Sequence, residues 1–416
     1  MNKSRLLGAV CAIFIALGFS NATASSYLFV PYADNLSENG RINRYDAATG
    51  DFVDVFITTS SEDQINGLIQ GSDGNFLVSS NTSGQIQRFD GSTGNLIDTF
   101  IESGTGGLSS PLQMVFGPDG NLYVVNGGEG GSVLRYNGLT GEFIDTFATG
   151  FSLPLDLAFG PDGNLYVSDA LADTVRRFNG TTGAFIDNFA TGIFRPGGIA
   201  FGPDNHLYVA APFDDSIFMF DGTTGNFSYE FGSDGNLNVP TDLTFGPDGS
   251  LYVNTRTVDG GSVIRFNGTT REYIDDFVSA GSGGLDLPKR GLMFAEVVPP
   301  TNVTIDIKPS KKPGKPNEID LKKDKNLKVA IVGSIDFDQL QVDPATVLFG
   351  PDEASPTRYR GQDYNRDGYS DLVLTFKLKE TGIVCGVTEA TLTGQTDTDP
   401  VIYFTGTDSF TIDECP

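Results

Sequence analysis

Apolar and polar positions recur along the chain with a period of about 43 residues. A nine-residue pattern, with Phe, a Gly-Pro-Asp-Gly turn and a Leu-Tyr-Val segment, spans Phe159–Val167. It returns almost letter for letter at 116–124, 201–209 and 245–253, and in a weaker form at 70–78. The first residues of the four strong copies lie 43, 42 and 44 residues apart. A period of this size is typical of repeat architectures.

Each repeat contains four short apolar segments separated by turns. In the copy that starts at Asp156 these segments are 157–159, 165–167, 175–178 and 184–189. Pro and Gly residues suit a tight turn between the first two segments, and an Asn-Gly pair before the fourth is a strong hairpin signal. No segment of the repeat has the 3.6-residue period of an amphipathic helix. The pattern predicts an all-β chain built from four-stranded antiparallel sheets, which are the blades of a β-propeller.

The Leu-Tyr-Val segment gives the number of blades. Its six variants lie at 28–30, 76–78, 122–124, 165–167, 207–209 and 251–253. The first apolar segment of each repeat is the inner strand of its blade. The first copy lacks this strand, whereas residues 291–294 have its pattern and are followed by no further segment of the repeat. We therefore predict a six-bladed β-propeller closed by a C-terminal strand, which truncation before Leu292 would open. A solenoid of stacked hairpins is the competing architecture, but it would need distinct capping repeats.

The N-terminus has the features of a secretory signal peptide. Lys3 and Arg5 precede an apolar run at 6–19, and Ala22-Thr23-Ala24 offers the small residues that a signal peptidase reads. We predict a signal peptide at 1–24 and a mature chain, secreted or periplasmic, that begins near Ser25. A membrane anchor is the alternative, but the run is shorter than the roughly 20 residues that cross a bilayer. No later segment predicts a membrane span.

Charge divides the chain and limits its partners. The formal net charge is −26, and residues 25–300 carry 12 Arg and Lys against 34 Asp and Glu. Such a surface repels nucleic acid and anionic lipid, so we expect neither as a partner. After the leader, Lys289 is the only lysine before Pro300, whereas ten follow. This break predicts a propeller at 25–297, a linker at 298–303 and a β-sandwich at 304–416.

The repeat resembles a known family. A Pro, a small-residue inner strand, an Asp-Gly turn and the segment Tyr166-Val167-Ser168-Asp169 are similar to the NHL repeat and its secreted six-bladed relatives. Those relatives include binding proteins and, more distantly, gluconolactonase-like and streptogramin-lyase-like enzymes. The resemblance covers Ser26 to about Glu296 and implies the propeller fold more specifically than it implies an activity.

The resemblance also implies where a ligand would bind. The loops after the Leu-Tyr-Val segments and the loops that enter the inner strands share one end of the blades, which we call the loop face. In the lactonase-like relatives a divalent cation lies over the channel on carboxylates and an Asn. The side chains of this kind on the loop face, and hence the ligand-binding candidates, are Asn126, Asp156, Asp169 and Asp242. The alternative is that they cap loops and face water.

Enzymatic activity has less support in these residues. The Glu, Asn and Asp ligands of the lactonases do not match this chain position by position. His206, the only histidine, replaces a turn glycine, so a His-dependent lyase mechanism is unsupported. We expect no catalytic residues from the sequence. The leading hypothesis is a secreted binding or scaffold protein that meets an extracellular ligand or protein through the loop face. The alternative is a metal-dependent hydrolase or lyase of the lactonase-like class.

The last 110 or so residues contain the sharpest chemical motif. Short alternating strands without helices predict a β-sandwich there. Within it, Asp363-Tyr364-Asn365-Arg366-Asp367-Gly368-Tyr369-Ser370-Asp371 has the oxygen spacing of a calcium loop. The predicted calcium ligands are Asp363, Asn365, Asp367, Tyr369 through its carbonyl, and Asp371. The position-12 carboxylate of an EF-hand is replaced by Leu374. A plain Asp/Gly turn is the alternative. The segment resembles a calcium-loop module that recurs at the C-terminus of bacterial extracellular proteins.

Two cysteines remain once the leader, with Cys11, is removed. Cys385 and Cys415 lie near the C-terminus. In an oxidising compartment they predict one disulfide that ties the tail to the last domain. Two free buried thiols are the alternative.

Overall fold

The computed structural model of the chain describes residues 25–33, 39–61, 64–128, 130–232, 235–257, 260–308, 317–334, 337, 339–365, 368–396 and 403–413. The chain folds into two compact units, of which the first is Ala24–Val298 and the second begins at Pro299. The signal peptide predicted at 1–24 lies outside the described residues and stays a prediction.

The first unit consists of antiparallel sheets that follow the sequence repeat. Sheet I contains β1 (Ser25–Ala33), β2 (Asn39–Asp46) and β3 (Phe52–Ser61). Sheet II contains β4 (Ile65–Gln70), β5 (Phe76–Ser80), β6 (Gln85–Phe89) and β7 (Leu96–Ile101). Sheet III contains β8 (Pro111–Phe116), β9 (Leu122–Asn126), β10 (Ser132–Tyr136) and β11 (Phe143–Ala148).

The later sheets have the same order of strands. Sheet IV contains β12 (Pro154–Phe159), β13 (Leu165–Asp169), β14 (Thr174–Phe178) and β15 (Phe185–Thr191). Sheet V contains β16 (Ile199–Phe201), β17 (Leu207–Ala211), β18 (Ser216–Phe220) and β19 (Phe227–Phe231). Sheet VI contains β20 (Asp242–Phe245), β21 (Leu251–Thr257), β22 (Gly260–Phe266) and β23 (Tyr273–Val278). Short 3-10 turns lie at Thr105–Gly107, Ala170–Ala172 and Ser282–Gly284.

Sheet I receives its first strand from the far end of the unit. After β24 (Leu287–Pro288), strand β25 (Met293–Val297) pairs antiparallel with β1, and Leu28 lies opposite Phe294. Strand β24 also pairs with β1, at its other end. Both ends of the first unit therefore meet in one sheet.

A buried tyrosine in the second strand of a sheet packs against two phenylalanines. Tyr166 contacts Phe189 of its own sheet and Phe201 of the next, with both ring centroids 4.8 Å away and the rings edge to face. The same arrangement ends with Tyr252, whose ring lies 4.7 Å from that of Phe294 in β25. Edge-to-face aromatic pairs add to the stabilisation that burial already provides. The repeated Phe and Tyr residues therefore form the packing contacts between neighbouring sheets.

Apolar clusters lie between the sheets of the first unit. Among the described residues, six such clusters each combine side chains of two sheets: I with II, II with III, III with IV, IV with V, V with VI, and VI with I. Each sheet thus buries both of its faces, as a repeat that cannot bury its apolar residues alone requires. The first unit is all-β with multiple four-stranded antiparallel sheets, consistent with a β-propeller.

An arginine in the third strand of most sheets bonds an aspartate ten residues later. Arg177 donates to Asp187 through Nε at 3.1 Å and Nη2 at 2.6 Å, and its guanidinium lies over the ring of Phe189. The other pairs are Arg44 with Asp54, Arg88 with Asp98, Arg135 with Asp145, and Arg265 with Asp275. Bidentate pairs of this kind hold the third and fourth strands in register.

Sheet V lacks this pair and receives a cation from its neighbour. Met219 occupies the arginine position, and Tyr229 lies opposite it. Arg271, from the hairpin between β22 and β23 of sheet VI, instead donates to Asp204 through Nη2 at 2.7 Å. The same nitrogen lies 3.3 Å from the hydroxyl of Tyr208. An arginine of the next sheet therefore neutralises the aspartate of the sheet V turn.

The second unit contains two four-stranded sheets around one core. The first consists of β26 (Thr301–Asn302), β30 (Val342–Phe349), β33 (Glu389–Thr396) and β34 (Tyr403–Ser409). The second consists of β27 (Ile305–Ile307), β29 (Asn326–Ile331), β31 (Arg358–Gln362) and β32 (Asp371–Lys377). A short pair joins β28 (Glu318–Ile319) to β35 (Thr411–Ile412), and 3-10 turns lie at Gln339–Gln341 and Leu378–Glu380.

Side chains of both sheets share the core of the second unit. Val329 and Leu374 from one sheet and Val347 and Leu392 from the other are fully buried in a single cluster. Two sheets packed through one apolar layer are the arrangement of a β-sandwich. Among the described residues of the whole chain, no helix has the length and hydrophobicity of a membrane span.

Candidate functional site

The first strands of several sheets line one cavity. Its volume is about 420 Å³, and its walls come from β8, β12, β16 and β20 together with Leu292. Asp156 and Asp242 are the carboxylates among the lining residues. The loop face, as the strand register defines it, carries Pro154, Asp169 and Thr174 of sheet IV at one end of that sheet. The candidate site consists of this cavity and of the loop face.

Asp156 and Asp242 each connect two neighbouring sheets. Asp156 is 3% exposed, and its Oδ2 accepts a hydrogen bond from the Ile199 amide of the next first strand at 2.7 Å. Asp242 is equally buried, and its Oδ2 accepts from the amides of Gly291 and Leu292 at 2.7 and 3.0 Å. Gly198 stands at the corresponding position between them, where a Cβ would lie 2.5 Å from the Asp242 carboxylate. These two aspartates therefore have a clear structural role.

Burial raises the pKa of both carboxyl groups. The Asp242 charge raises the pKa of Asp156 further, whereas backbone donors and the Arg290 guanidinium oppose the increase. For Asp242, burial is again the largest cause, opposed by the amides of Leu292 and Gly291 and by Arg290. Two like charges at buried positions disfavour simultaneous ionisation. Buried carboxyl groups with raised pKa values in a channel are candidates for chemistry as well as for structure.

Neutralising Asp156 is expected to change the pH dependence of stability. Because folding raises the pKa of this group, its contribution is fully present below the unfolded pKa, near 4, and is lost as the pH rises through the folded pKa. Urea unfolding at pH 5 and pH 8 should therefore show that Asp156→Asn gains stability relative to the wild type with rising pH, by at most about 1.4 kcal/mol for each pH unit between pH 5 and the folded pKa. The exposed Asp51→Asn variant controls for the lost charge. A difference between Asp156→Asn and wild type that is equal at both pH values would contradict this.

Asp169 and Asn126 hold the loops that enter their sheets. Asp169 is fully buried, and its two oxygens accept from the amides of Leu153 at 2.7 Å and Ser152 at 2.9 Å. Asn126 Oδ1 accepts from the amides of Ser109 and Ser110, both at 3.0 Å. These bonds correspond to the loop-capping alternative, although Asp169 does not face water. Metal or ligand binding by the two side chains stays a prediction.

The four predicted ligands do not form one group. Asp156 and Asp242 interact electrostatically with each other and with Arg290, whereas Asp169 and Asn126 are each committed to their own incoming loop. In the part of the chain that the structure describes, no three His, Cys, Asp or Glu side chains gather in an arrangement suited to a metal ion. Arg290 is a channel residue to which the sequence alone assigns no role.

An exposed aromatic pair lies on the loop face. Phe194 and Phe213 are 52% and 60% exposed, and their ring centroids lie 5.3 Å apart. The Arg195 guanidinium is 5.8 Å from one ring and 5.6 Å from the other. The Arg195 amide donates to Asp173 Oδ1 at 2.9 Å and fixes a backbone with φ of 51°. Sequence reasoning missed this group, although an aromatic residue in each of two adjacent variable loops was a signal for it.

The predicted calcium loop is partly held by backbone hydrogen bonds. Asp371 is 1% exposed; its Oδ1 accepts from Gly333 N at 3.0 Å and its Oδ2 from Tyr364 N at 2.6 Å. Asp363 Oδ2 accepts from Gly368 N at 3.3 Å, which brings the loop back on itself. Asp367 lies outside the described residues.

A carboxylate next to the loop experiences the loop's negative charge. Burial raises the pKa of Asp306 in β27, and the charges of Asp408 and Asp371 raise it further. Oxygen donors of this kind are the ligands that Ca²⁺ prefers. Calcium binding by Asp363, Asn365, Asp367, Tyr369 and Asp371 stays a prediction. So does the disulfide, since Cys385 is described and Cys415 is not.

Comparisons with known proteins support the fold. No family model matches the chain, and no curated protein matches it. A protein of unknown function from Bacteroides caccae is 14% identical, with a TM-score of 0.52 over 66% of this chain and 99% of that one. A chain of a nidogen/laminin complex is 15% identical, with a TM-score of 0.50 over 65% and 98%. A candidate 6-phosphogluconolactonase from Bacteroides uniformis is 19% identical, with a TM-score of 0.44 over 60% and 81%.

At such identities the likeness shows the fold alone. The chain has an all-β fold of the propeller type, and the predicted resemblance is confirmed to that extent. The NHL repeat, the number of blades and the calcium module stay predictions.

Proposed function

We propose that the chain is a secreted or periplasmic binding or scaffold protein. Its first unit would be a closed six-bladed propeller that meets an extracellular ligand or protein through the loop face. Its second unit would be a calcium-stabilised β-sandwich. The six apolar clusters that join successive sheets, including VI to I, support the blade count and the closure.

The aromatic pair on the loop face carries the binding proposal. Phe194 and Phe213 expose more than half of their surface, and Arg195 packs against both rings. Aromatic residues and arginine are the types enriched at the centres of protein interfaces. Because Asp173 bonds the Arg195 amide, the group is held in place before a partner arrives. Such preorganisation reduces the entropy that binding would otherwise lose.

Cell binding by purified protein tests this proposal. The labelled mature chain is added to intact cells of the producing organism from which its own gene has been deleted. We expect Phe194→Ser/Phe213→Ser to reduce the bound protein at least tenfold. The control is Phe185→Ser/Phe227→Ser, which removes two aromatics of similar exposure, 49% and 57%, from outer strands. Equal binding by all three proteins, or equal loss by both variants, would contradict a contact at this pair.

A metal-dependent hydrolase or lyase is the second candidate. The observation in its favour is the buried pair Asp156 and Asp242 beside Arg290, with raised pKa values of both carboxyl groups. Elemental analysis of the purified protein with and without residues 301–416 separates the two proposals. Metal that stays with the first unit favours the enzyme, whereas metal lost with the tail favours the calcium-stabilised scaffold.

A further inference from the structure

Three cationic side chains gather beside the channel in a unit that is otherwise strongly acidic. Arg256 lies near the end of β21, and Lys289 and Arg290 lie between β24 and β25. Lys289 is the only lysine of residues 25–300. Their backbones are fixed: the Lys289 amide donates to Pro31 O at 2.8 Å, and the Arg256 amide donates to Asn238 O at 2.8 Å. Asn254 Nδ2 also donates to Lys289 O at 2.8 Å.

The three charges repel one another. Burial lowers the pKa of Lys289, and the charges of Arg256 and Arg290 lower it further. Burial also lowers the pKa of Arg256, followed by the Arg290 charge, while Asp286 opposes the change. For Arg290 burial is the largest cause of a lowered pKa, opposed by Asp156 and Asp242. Partly buried cations that repel one another are unfavourable unless an anion compensates them.

No side chain of the described residues pairs with these three cations. None of the three has an Asp or Glu oxygen within the 4.0 Å of an ion pair among those residues. The Nε atoms of Arg256 and Arg290 are buried and have no hydrogen-bond acceptor there. Other arginines of the same unit donate to an aspartate, among them Arg44, Arg88, Arg135, Arg177 and Arg265. Buried donors without an acceptor call for a ligand, an ion or water.

We propose that Arg256, Lys289 and Arg290 form a binding site for an oxyanion group of the loop-face ligand. Guanidinium groups offer paired donors that match carboxylate, phosphate and sulfate oxygens, and the ammonium adds a point charge. The charges of Asp156 and Asp242 act on Arg290, so an oxyanion nearer to Arg256 and Lys289 avoids their repulsion. This inference rests on the proposed binding function and adds the chemical class of the ligand.

Anion titration of the mature chain tests the site. Sodium sulfate, phosphate and acetate are titrated by calorimetry against sodium chloride at equal ionic strength. We expect saturable binding of at least one of the three oxyanions, and at least a tenfold weaker affinity for Arg256→Gln and for Lys289→Gln. The control is Arg358→Gln, which removes the same charge from an exposed position of β31 in the second unit and should leave the affinity unchanged. The anion bound most tightly identifies the oxyanion type.

Stability in chloride provides a second readout. Because Arg256→Gln and Lys289→Gln each remove one of three repelling charges, both variants should melt at or above the wild-type temperature without an oxyanion. Loss of affinity together with a lower melting temperature, no saturable binding of any oxyanion, or an equal loss in Arg358→Gln would overturn the proposal. The outcome is separate from cell binding. If Phe194→Ser/Phe213→Ser left both cell binding and sulfate binding unchanged, only the aromatic contact would be refuted.

Discussion

A chain that ends after Arg290 should fail to form a cooperatively folded first unit, whereas a chain that ends after Val298 should form it. The shorter chain lacks β25, which pairs with β1 from Ser25 to Phe29. It also lacks Leu292, which is 4% exposed, and Phe294, whose ring packs against Tyr252. Strand β1 would then be an unpaired edge beside an opened apolar core. The expected loss is roughly 5 kcal/mol or more, comparable to the whole stability of a typical domain.

Urea unfolding and size-exclusion chromatography of the two truncated chains measure this effect. The chain that ends after Val298 should unfold in one transition and elute as a single species. The chain that ends after Arg290 should aggregate or lose its transition. Phe294→Ala in the full chain is a milder version and should lose about 1–3 kcal/mol, since its ring is only partly buried. Identical midpoints for the two truncated chains would show that β25 does not hold the unit together.

Calcium should stabilise the second unit through its Asp-rich loop. Free calcium at a thousand times the dissociation constant adds about 4 kcal/mol, which corresponds to a melting temperature higher by roughly 10 °C or more. We expect Asp367→Ala to lose this increment when calorimetry is run with calcium, and to melt like the wild type with a chelator. A loss that is equal with calcium and with chelator would refute the calcium site.

Asp371→Ala is the matched contrast within the same loop. Its carboxylate bonds the amides of Gly333 and Tyr364 and is buried. Removing it leaves buried donors without an acceptor, so we expect a loss of about 2–4 kcal/mol that persists in chelator. If both variants behaved alike in chelator, the structural role of Asp371 would have to be reconsidered.

The sheets could be predicted from the sequence because one physical pattern specifies them repeatedly. The Phe and Tyr letters that repeat are those that pack between sheets, as Tyr166 does against Phe189 and Phe201. The inner strand near Leu292 was also predictable, since an incomplete first repeat and an extra last segment complement each other. Leu251–Thr257 extends beyond the predicted three residues, because the repeat marks only the part of the strand shared by all copies.

The candidate site was less predictable because it depends on which polar side chains already have hydrogen-bond or ion-pair partners within the fold. Asp156 and Asp169 are both predicted ligands, but one lines the cavity and the other bonds the amides of Ser152 and Leu153. Arg256 and Arg290 are 34 residues apart, and only the fold shows that they interact. Whether a buried donor has an acceptor depends on three-dimensional packing, and a pattern of residues along the chain does not show it.

The ion pair between Asp204 of sheet V and Arg271 of sheet VI limits how the repeats can be rearranged. A genetic duplication or excision that ended at Phe231 would move Asp204 away from Arg271, whereas the corresponding turn residues Asp119 and Asp162 would keep an arginine of their own sheets. Sheet V thus depends on sheet VI for the cation of its turn, whereas sheet IV holds its arginine and aspartate within the sheet. Engineered chimaeras should therefore keep sheets V and VI together.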